Sequence, residues 1–192
     1  VALTFDGDWF ATGAEAIVGT LARHHARATF FLTGHFCHTF PAVCRALSAA
    51  GMELGNHSER HPDFTRQSDA RIRTELERGE EALVQTFGHG ARPLFRFPYS
   101  ACDARSEALV ARAGFQSIDC SLDVLDTVGR PKTSDFIAHR VMNQVRAGDV
   151  VLLHFTAGTA GALPRICNYL DHAGLQLVPV STLLFSGARP TR

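Results

Sequence analysis

The chain has 192 residues, 45% of them hydrophobic, which is enough for one buried core without disulfide staples. Nineteen basic residues balance nineteen acidic ones, and this zero formal charge argues against a nucleic-acid or anionic-membrane binder that works through bulk charge. No run approaches the roughly eighteen consecutive apolar residues of a membrane span, and the absence of linkers, heptads and long repeats excludes disordered, coiled-coil and solenoid architectures.

The chain opens at Val1 inside an apolar run, without an initiator methionine, and reads as a fragment or a processed product. Its five cysteines, Cys37, Cys44, Cys102, Cys120 and Cys167, contain no C-x-x-C pair, so a cysteine zinc knuckle is not expected. They read as small buried apolar residues, although Cys37 and Cys44 are near enough in sequence to bridge.

In chain order, short β-rich runs alternate with amphipathic stretches. Val1–Phe5 reads as a buried strand, Gly13–His25 as a helix and Ala28–Thr33 as a second buried strand. Pro41–Ala50 is a helix with proline in its first turn and Gly51 as its stop. Glu53–Gly55 is a brief strand, and Ser68–Phe87 is the longest helix, with Ile72, Leu76, Leu83 and Val84 on one stripe. Leu94–Phe97 is a strand, Ser106–Ala113 a helix and Phe115–Asp119 a strand. Asp135–Arg146 is a helix, Val150–His154 a strand, Ala162–Ala173 a helix and Leu175–Pro179 a last strand, after which Val180–Phe185 ends the core. Strand–helix alternation implies parallel strands joined by crossover helices, and near-continuous apolar strands imply cover on both faces. The expected fold is therefore α/β, a distorted or incomplete parallel (β/α) barrel of about seven strands forming a single domain over residues 1–192. A doubly wound open sheet is the alternative. No G-x-G-x-x-G follows the first strand, so dinucleotide binding has no support.

Polar residues cluster just after the strands, at the end where parallel α/β sites assemble. Asp6, Gly7, Asp8 and Trp9 follow the first strand, and Asn56 through His61 follow the third. Arg96 lies in the fourth strand and leads to Pro98 and Tyr99. Asp123 and Asp126 follow the Phe115–Asp119 strand, and His154 ends the Val150–His154 strand. His57 and His61 are four apart, a spacing that on a helical turn presents two imidazoles to one metal ion. Two histidines plus one carboxylate leave an open coordination position, as a catalytic site needs. Arg96, charged within an apolar stretch, requires a carboxylate if it faces inward, with Asp6 and Asp123 as candidates. The other histidines, His35 and His38 among them, read as surface or packing residues.

These motifs, taken in order, resemble the NodB-homology polysaccharide deacetylases, a carbohydrate esterase family, over nearly the whole chain. The first motif, T-F-D-D-G in the family, is Thr4-Phe5-Asp6-Gly7-Asp8 here, and the A-T-F-F stretch is Ala28 to Phe31. N-H-[ST]-x-x-H is Asn56 to His61, R-x-P-[YW] is Arg96 to Tyr99, S-x-D-x-x-D is Ser121 to Asp126, and L-L-H is Leu152 to His154. The resemblance implies a distorted barrel and one divalent metal, usually zinc and otherwise cobalt, manganese or nickel. It implies removal of N-acetyl groups from N-acetylglucosamine polymers of the peptidoglycan or chitin type, or of O-acetyl groups from xylan. Position by position it assigns Asp6 as general base, His57 and His61 as metal ligands and His154 as general acid. Asp123 is assigned to orient that acid, Arg96 to hold the base and the Tyr99 backbone N–H to the oxyanion site.

Three departures stand out. The family's metal-binding aspartate is Gly7 here, Phe155 follows His154 where an aspartate is usual, and Thr127 replaces an aromatic residue. Asp8 is the expected substitute ligand, with Asp6 left as base and Gly7 giving the loop freedom to turn Asp8 back; the alternative is that Asp6 is itself the carboxylate ligand and Asp8 a solvated loop residue. The main expectation is a metal-dependent deacetylase, monomeric and exported or envelope-facing, with polysaccharide as its partner. The alternatives are a glycan-binding pseudoenzyme, motivated by Gly7, and an O-acetyl esterase.

Overall fold

A computed structural model describes residues 1–185. Seven parallel strands form one curled sheet, a half-barrel with helices packed outside, in the order β5-β4-β3-β2-β1-β7-β6. The strands are β1 (Ala2–Gly7), β2 (Thr29–Leu32), β3 (Glu53–Asn56), β4 (Leu94–Phe95), β5 (Gln116–Ser117), β6 (Leu122–Asp123) and β7 (Val150–His154). The central four are buried nearly throughout, as a sheet covered on both faces requires. Among the described residues β5 and β6 do not pair, so the sheet stays open rather than closing into a barrel.

Among the described residues eight α-helices accompany the strands: α1 (Ala14–Arg23), α2 (Gly34–Thr39), α3 (Pro41–Ala49), α4 (Asp69–Phe87), α5 (Ala104–Arg112), α6 (Ser134–Gln144), α7 (Ala157–His172) and α8 (Val180–Phe185). Their starts follow from local chemistry. Thr33, Ser68, Asp103, Thr133 and Thr156 each accept a backbone N–H in the first turn of the helix that follows. Gly88 ends α4 in the left-handed region, at φ 80°, where a side chain would be strained.

Three elements differ from the sequence reading. α2 is an additional helix whose start is capped by Thr33, and six residues are too few to show a period. β6 is a two-residue strand recruited by pairing with β7 rather than by its own composition. Leu175–Pro179 is not a strand: Val178 N–H bonds to Val1 carbonyl at 3.0 Å, but Pro179 has no N–H to continue a ladder. In addition, α7 starts earlier than expected and carries Pro164 inside it.

Alternation along β1 sorts its side chains between two environments. Leu3 and Phe5 join the helix-covered core, where Phe5, Phe30, Phe36 and Phe155 pack ring on ring at 4.9–6.4 Å. Thr4 and Asp6 face the inside of the curl, where both accept hydrogen bonds from Arg96. All five cysteines are free; Cys37, Cys44 and Cys167 are buried in the core as expected, whereas Cys102 is exposed and Cys120 half-buried.

Candidate functional site

The C-terminal ends of the strands open onto a cleft of about 440 Å³ whose lining includes Asp6, Asp8, His57, His61, Tyr99 and His154. Asp6 sits at its floor. The Arg96 Nη1 donates to Asp6 Oδ1 at 2.8 Å and to Thr4 Oγ1 at 2.8 Å, and Nε donates to the Ile118 carbonyl at 3.1 Å. The guanidinium also lies over the Phe31 ring, 4.2 Å from its centroid. Both charges are nearly sealed from water, 2% exposed for Arg96 and 6% for Asp6. Burial alone would raise the Asp6 pKa, but Arg96 and the nearby histidines outweigh it and hold the carboxyl below its ordinary value. Asp6 is thus ionised at neutral pH. Of the two candidates for Arg96, it is Asp6 that forms the pair.

His57 and His61 converge, but not on a helix. They lie in the loop after β3, which turns through left-handed backbone at Ser58 (φ 72°) and His61 (φ 57°). Side chains hold that strained turn in place. Asn56 Oδ1 accepts from Ser58 N–H, Ser58 Oγ accepts from His61 N–H, and Glu75 Oε2 accepts from Arg60 N–H. Gly79 of α4 lets the helix approach, since a Cβ there would lie 2.8 Å from Asn56 Oδ1 and from the Ser58 carbonyl carbon.

His57 Nδ1 donates to the Arg96 carbonyl at 2.8 Å, which leaves Nε2 as a lone pair 3.1 Å from His61 Nε2 and 3.5 Å from Asp6 Oδ2. Burial lowers both imidazole pKa values, that of His61 to about 3, so both rings are neutral. Two nitrogens bound about 2.0–2.1 Å from one tetrahedral zinc stand about 3.3 Å apart, so this pair fits a shared divalent ion. His61 Nδ1 is buried without a hydrogen-bond partner. Among the described residues no group of three or more His, Cys, Asp or Glu side chains is gathered tightly enough to hold an ion, so the donors in place are two imidazoles. Asp8 lines the same cleft, and its Oδ1 accepts from the Trp9 N–H at 2.6 Å.

His154 belongs to a dyad, and its partner corrects the expectation. Asp126, not Asp123, orients it: His154 Nδ1 donates to Asp126 Oδ1 at 2.8 Å, and His154 N–H donates to Oδ2 at 2.9 Å. Thr159 Oγ1 completes the set, donating to Oδ2 at 2.5 Å. Burial would lower the His154 pKa, but the Asp126 hydrogen bond and the Asp6 charge raise it above its ordinary value. Burial would raise the Asp126 pKa, but His154 and Thr159 bring it below the ordinary carboxylate value. Asp123 spends Oδ1 on the Leu125 N–H at 2.8 Å and its carbonyl on Arg140, so it shapes the turn that delivers Asp126. That turn passes through Leu125 at φ 60°.

Tyr99 stands at the cleft mouth, 69% exposed, with its ring edge-on to His61 at 4.5 Å and its backbone at φ 59°. Sequence reading missed Asp126 as the partner of His154, and also Glu75, Gly79 and Glu80, whose Oε2 accepts from Asn56 Nδ2 at 3.4 Å, as supports of the histidine loop. Asp126 stood in the quoted S-x-D-x-x-D motif. The α4 residues gave no signal beyond two glutamates on the helix face that turns out to be buried.

Fold and site together define an α/β half-barrel with a hydrolase-type cleft: an ionised carboxylate, two converging neutral imidazoles and a histidine–aspartate dyad. Residues 1–118 match the family model for polysaccharide deacetylase, and the chain belongs to that family. A peptidoglycan-N-acetylglucosamine deacetylase of Bacillus cereus is 27% identical over 188 residues, covering 95% of this chain and 67% of that protein. A family 4 carbohydrate esterase from Streptomyces lividans, solved with acetate, superposes with a TM-score of 0.82 at 30% identity, over 93% of this chain and 90% of that one. A CE4-family pseudoenzyme from Bacillus anthracis superposes with a TM-score of 0.89 at 26% identity, over 95% of this chain and 64% of that one. The chain spans 57–67% of the length of three curated relatives that it matches.

Proposed function

We propose that the chain is the catalytic domain of a metal-dependent deacetylase that removes N-acetyl groups from an N-acetylglucosamine-containing polysaccharide of the cell envelope. The observation that carries this reading is that one cleft holds Asp6, kept ionised by Arg96, and His154, kept basic by Asp126. Amide hydrolysis needs a group that takes a proton from water and another that gives one to the departing nitrogen. Asp6 takes the first proton. His154, protonated at both ring nitrogens, delivers the second from Nε2 while Asp126 keeps its Nδ1–H directed. The Tyr99 backbone N–H, in this reading, donates to the developing oxyanion. The products are a free amine and acetate, which accounts for every atom of amide and water.

His57 and His61 are the residues to hold the divalent ion, zinc first, with Asp8 as the third donor. When bound, the ion supplies polarisation of the acetyl carbonyl and of the attacking water. The deacetylase named above from Bacillus cereus supports the substrate class.

A second reading rests on Gly7 and the two-imidazole donor set: a pseudoenzyme, as the Bacillus anthracis neighbour is described, that keeps the cleft for glycan binding. Acetate release from N-acetylglucosamine oligomers and from peptidoglycan, measured with and without added zinc or cobalt, decides between the two. Release that depends on metal supports the enzyme. No release on either substrate, with metal bound, overturns it in favour of the pseudoenzyme.

A further inference from the structure

The cleft, about 440 Å³, is small beside a polymer, so the chain on either side of the reacting unit must rest on its rim. One rim feature is built in a way that the chemistry above does not use. Trp9 is the single tryptophan of the chain, and it is 52% exposed. It is flanked by Asp8 and Phe10, which both line the cleft.

An exposed aromatic side chain on a loop is common, and alone it means little. This one is clamped from beneath. The indole packs on the His35 imidazole at 4.4 Å between centroids, tilted by 46°. His35 is itself fixed on α2, with its ring Nε2 3.4 Å from Thr39 Oγ1 and its backbone N–H donating to the Glu59 carbonyl at 2.9 Å. Asp8 Oδ1 accepts the Trp9 N–H and holds the backbone from the other side. The indole is therefore backed by the His35 ring on one side, and it sits between two cleft-lining residues in the chain. The His35 ring, which carries hydrogen-bonding nitrogens, adjoins it. A flat apolar surface with a polar ring beside it matches the face of a pyranose ring, whose axial C–H bonds are apolar and whose equatorial hydroxyls are not.

We infer that Trp9, backed by His35, is a sugar-stacking subsite that holds the pyranose unit next to the one bound in the cleft. The inference rests on the polysaccharide reading above and adds the residue that makes the site prefer oligomers to short substrates. Tyr99, on the loop after β4, stands on the opposite side of the His57–His61 pair, so a polymer running between Tyr99 and Trp9 would pass over the catalytic groups.

The single tryptophan gives a direct readout. Metal-free protein is titrated with N-acetylglucosamine oligomers of two to five units while indole emission and calorimetric heat are followed. The expected result is a saturable emission change with the longer oligomers. Trp9→Ala should lose about three- to tenfold of the affinity gain that the pentamer has over the dimer. Trp9→Phe should recover part of it, and His35→Ala should weaken pentamer binding with the indole still present. Pentamer binding by calorimetry with unchanged emission, and with equal affinity for Trp9→Ala, overturns the subsite and leaves the proposed activity standing. An emission change without acetate release from metal-loaded protein keeps the subsite and removes the enzyme reading. No binding of any oligomer overturns the subsite itself.

Discussion

Asp126→Asn is the sharpest perturbation of the site, because it keeps the shape and removes one charge. Three donors, the His154 N–H, the His154 Nδ1–H and the Thr159 hydroxyl, converge on the two Asp126 oxygens, and the carboxylate side chain is fully buried. An asparagine must put its carbonyl oxygen where Oδ2 stood, since two donors meet there. Its NH₂ then faces His154 Nδ1, which becomes an acceptor, and the imidazole is held neutral. The protonated acid is lost at neutral pH. Removing the charge of a buried aspartate that orients a catalytic histidine costs about 10³–10⁴ in kcat, or about 4–5.5 kcal/mol of barrier. The pH dependence has a definite sign. His154 has a raised pKa, so the protonated acid persists up to that raised value and activity falls above it. In Asp126→Asn the falling limb moves to lower pH. Turnover against pH, together with the imidazole C–H shifts of His154 in NMR, measures both effects. A loss under tenfold, or a larger loss in Asp123→Asn than in Asp126→Asn, would refute the dyad.

Other perturbations test separate parts of the site. His61→Ala should drop metal content well below about one ion per chain after dialysis while leaving the circular dichroism spectrum intact, because the ring lies on a loop; full occupancy would remove it from the ligand set. Arg96→Leu strands the Asp6 carboxylate at the cleft floor and should cost about 3–5 kcal/mol in urea unfolding, with a cost under about 1 kcal/mol contradicting the buried pair. Gly7→Asp should lower the melting temperature and leave metal content no higher than in the native protein; a gain in metal affinity would show that position 7 reaches the cleft.

Much of this was legible in the sequence, and what was not has identifiable causes. Val150–His154 and Pro41–Ala50 were readable because a run of apolar strand residues, or a proline start with a glycine stop, carries its own signal. β6 was not, because two residues become a strand only through pairing with β7. The convergence of Asp6, His57, His61, Arg96 and His154 followed from strand polarity alone, since parallel strands deliver their ends to one face. Helical spacing gave the right pair, His57 and His61, by the wrong geometry: the loop brings them together through two left-handed residues. The choice of Asp123 over Asp126 failed for a related reason. Leu125 at φ 60° reverses the chain between them, and no one-dimensional spacing reports such a turn.

The altered first motif makes sense once strand alternation is followed to the end of β1. Asp6 faces the inside of the curl, so residue 7 faces the helices and residue 8 returns toward the cleft. Gly7 is still within β1, paired with Leu32, and its φ is not positive, so its role is not loop freedom. Its role is space. A Cβ at position 7 would lie 2.7 Å from Leu32 Cδ2, 2.9 Å from the Phe155 ring and 3.1 Å from the Phe36 ring. The two departures around the site are thus one arrangement: the Phe155 ring, fully buried after His154, occupies the room that a side chain at position 7 would need. A carboxylate placed there would meet three apolar side chains rather than an ion, at the cost of burying an unpaired charge. A lone substitution at Gly7 therefore cannot restore the usual donor while Phe155 stays. The carboxylates on the inward-facing positions are Asp6, whose Oδ1 is bound to Arg96 and whose Oδ2 lies 3.5 Å from His57 Nε2, and Asp8. Asp8 lines the cleft with Oδ2 not engaged by the Trp9 N–H, and it is the carboxylate proposed above as the third donor.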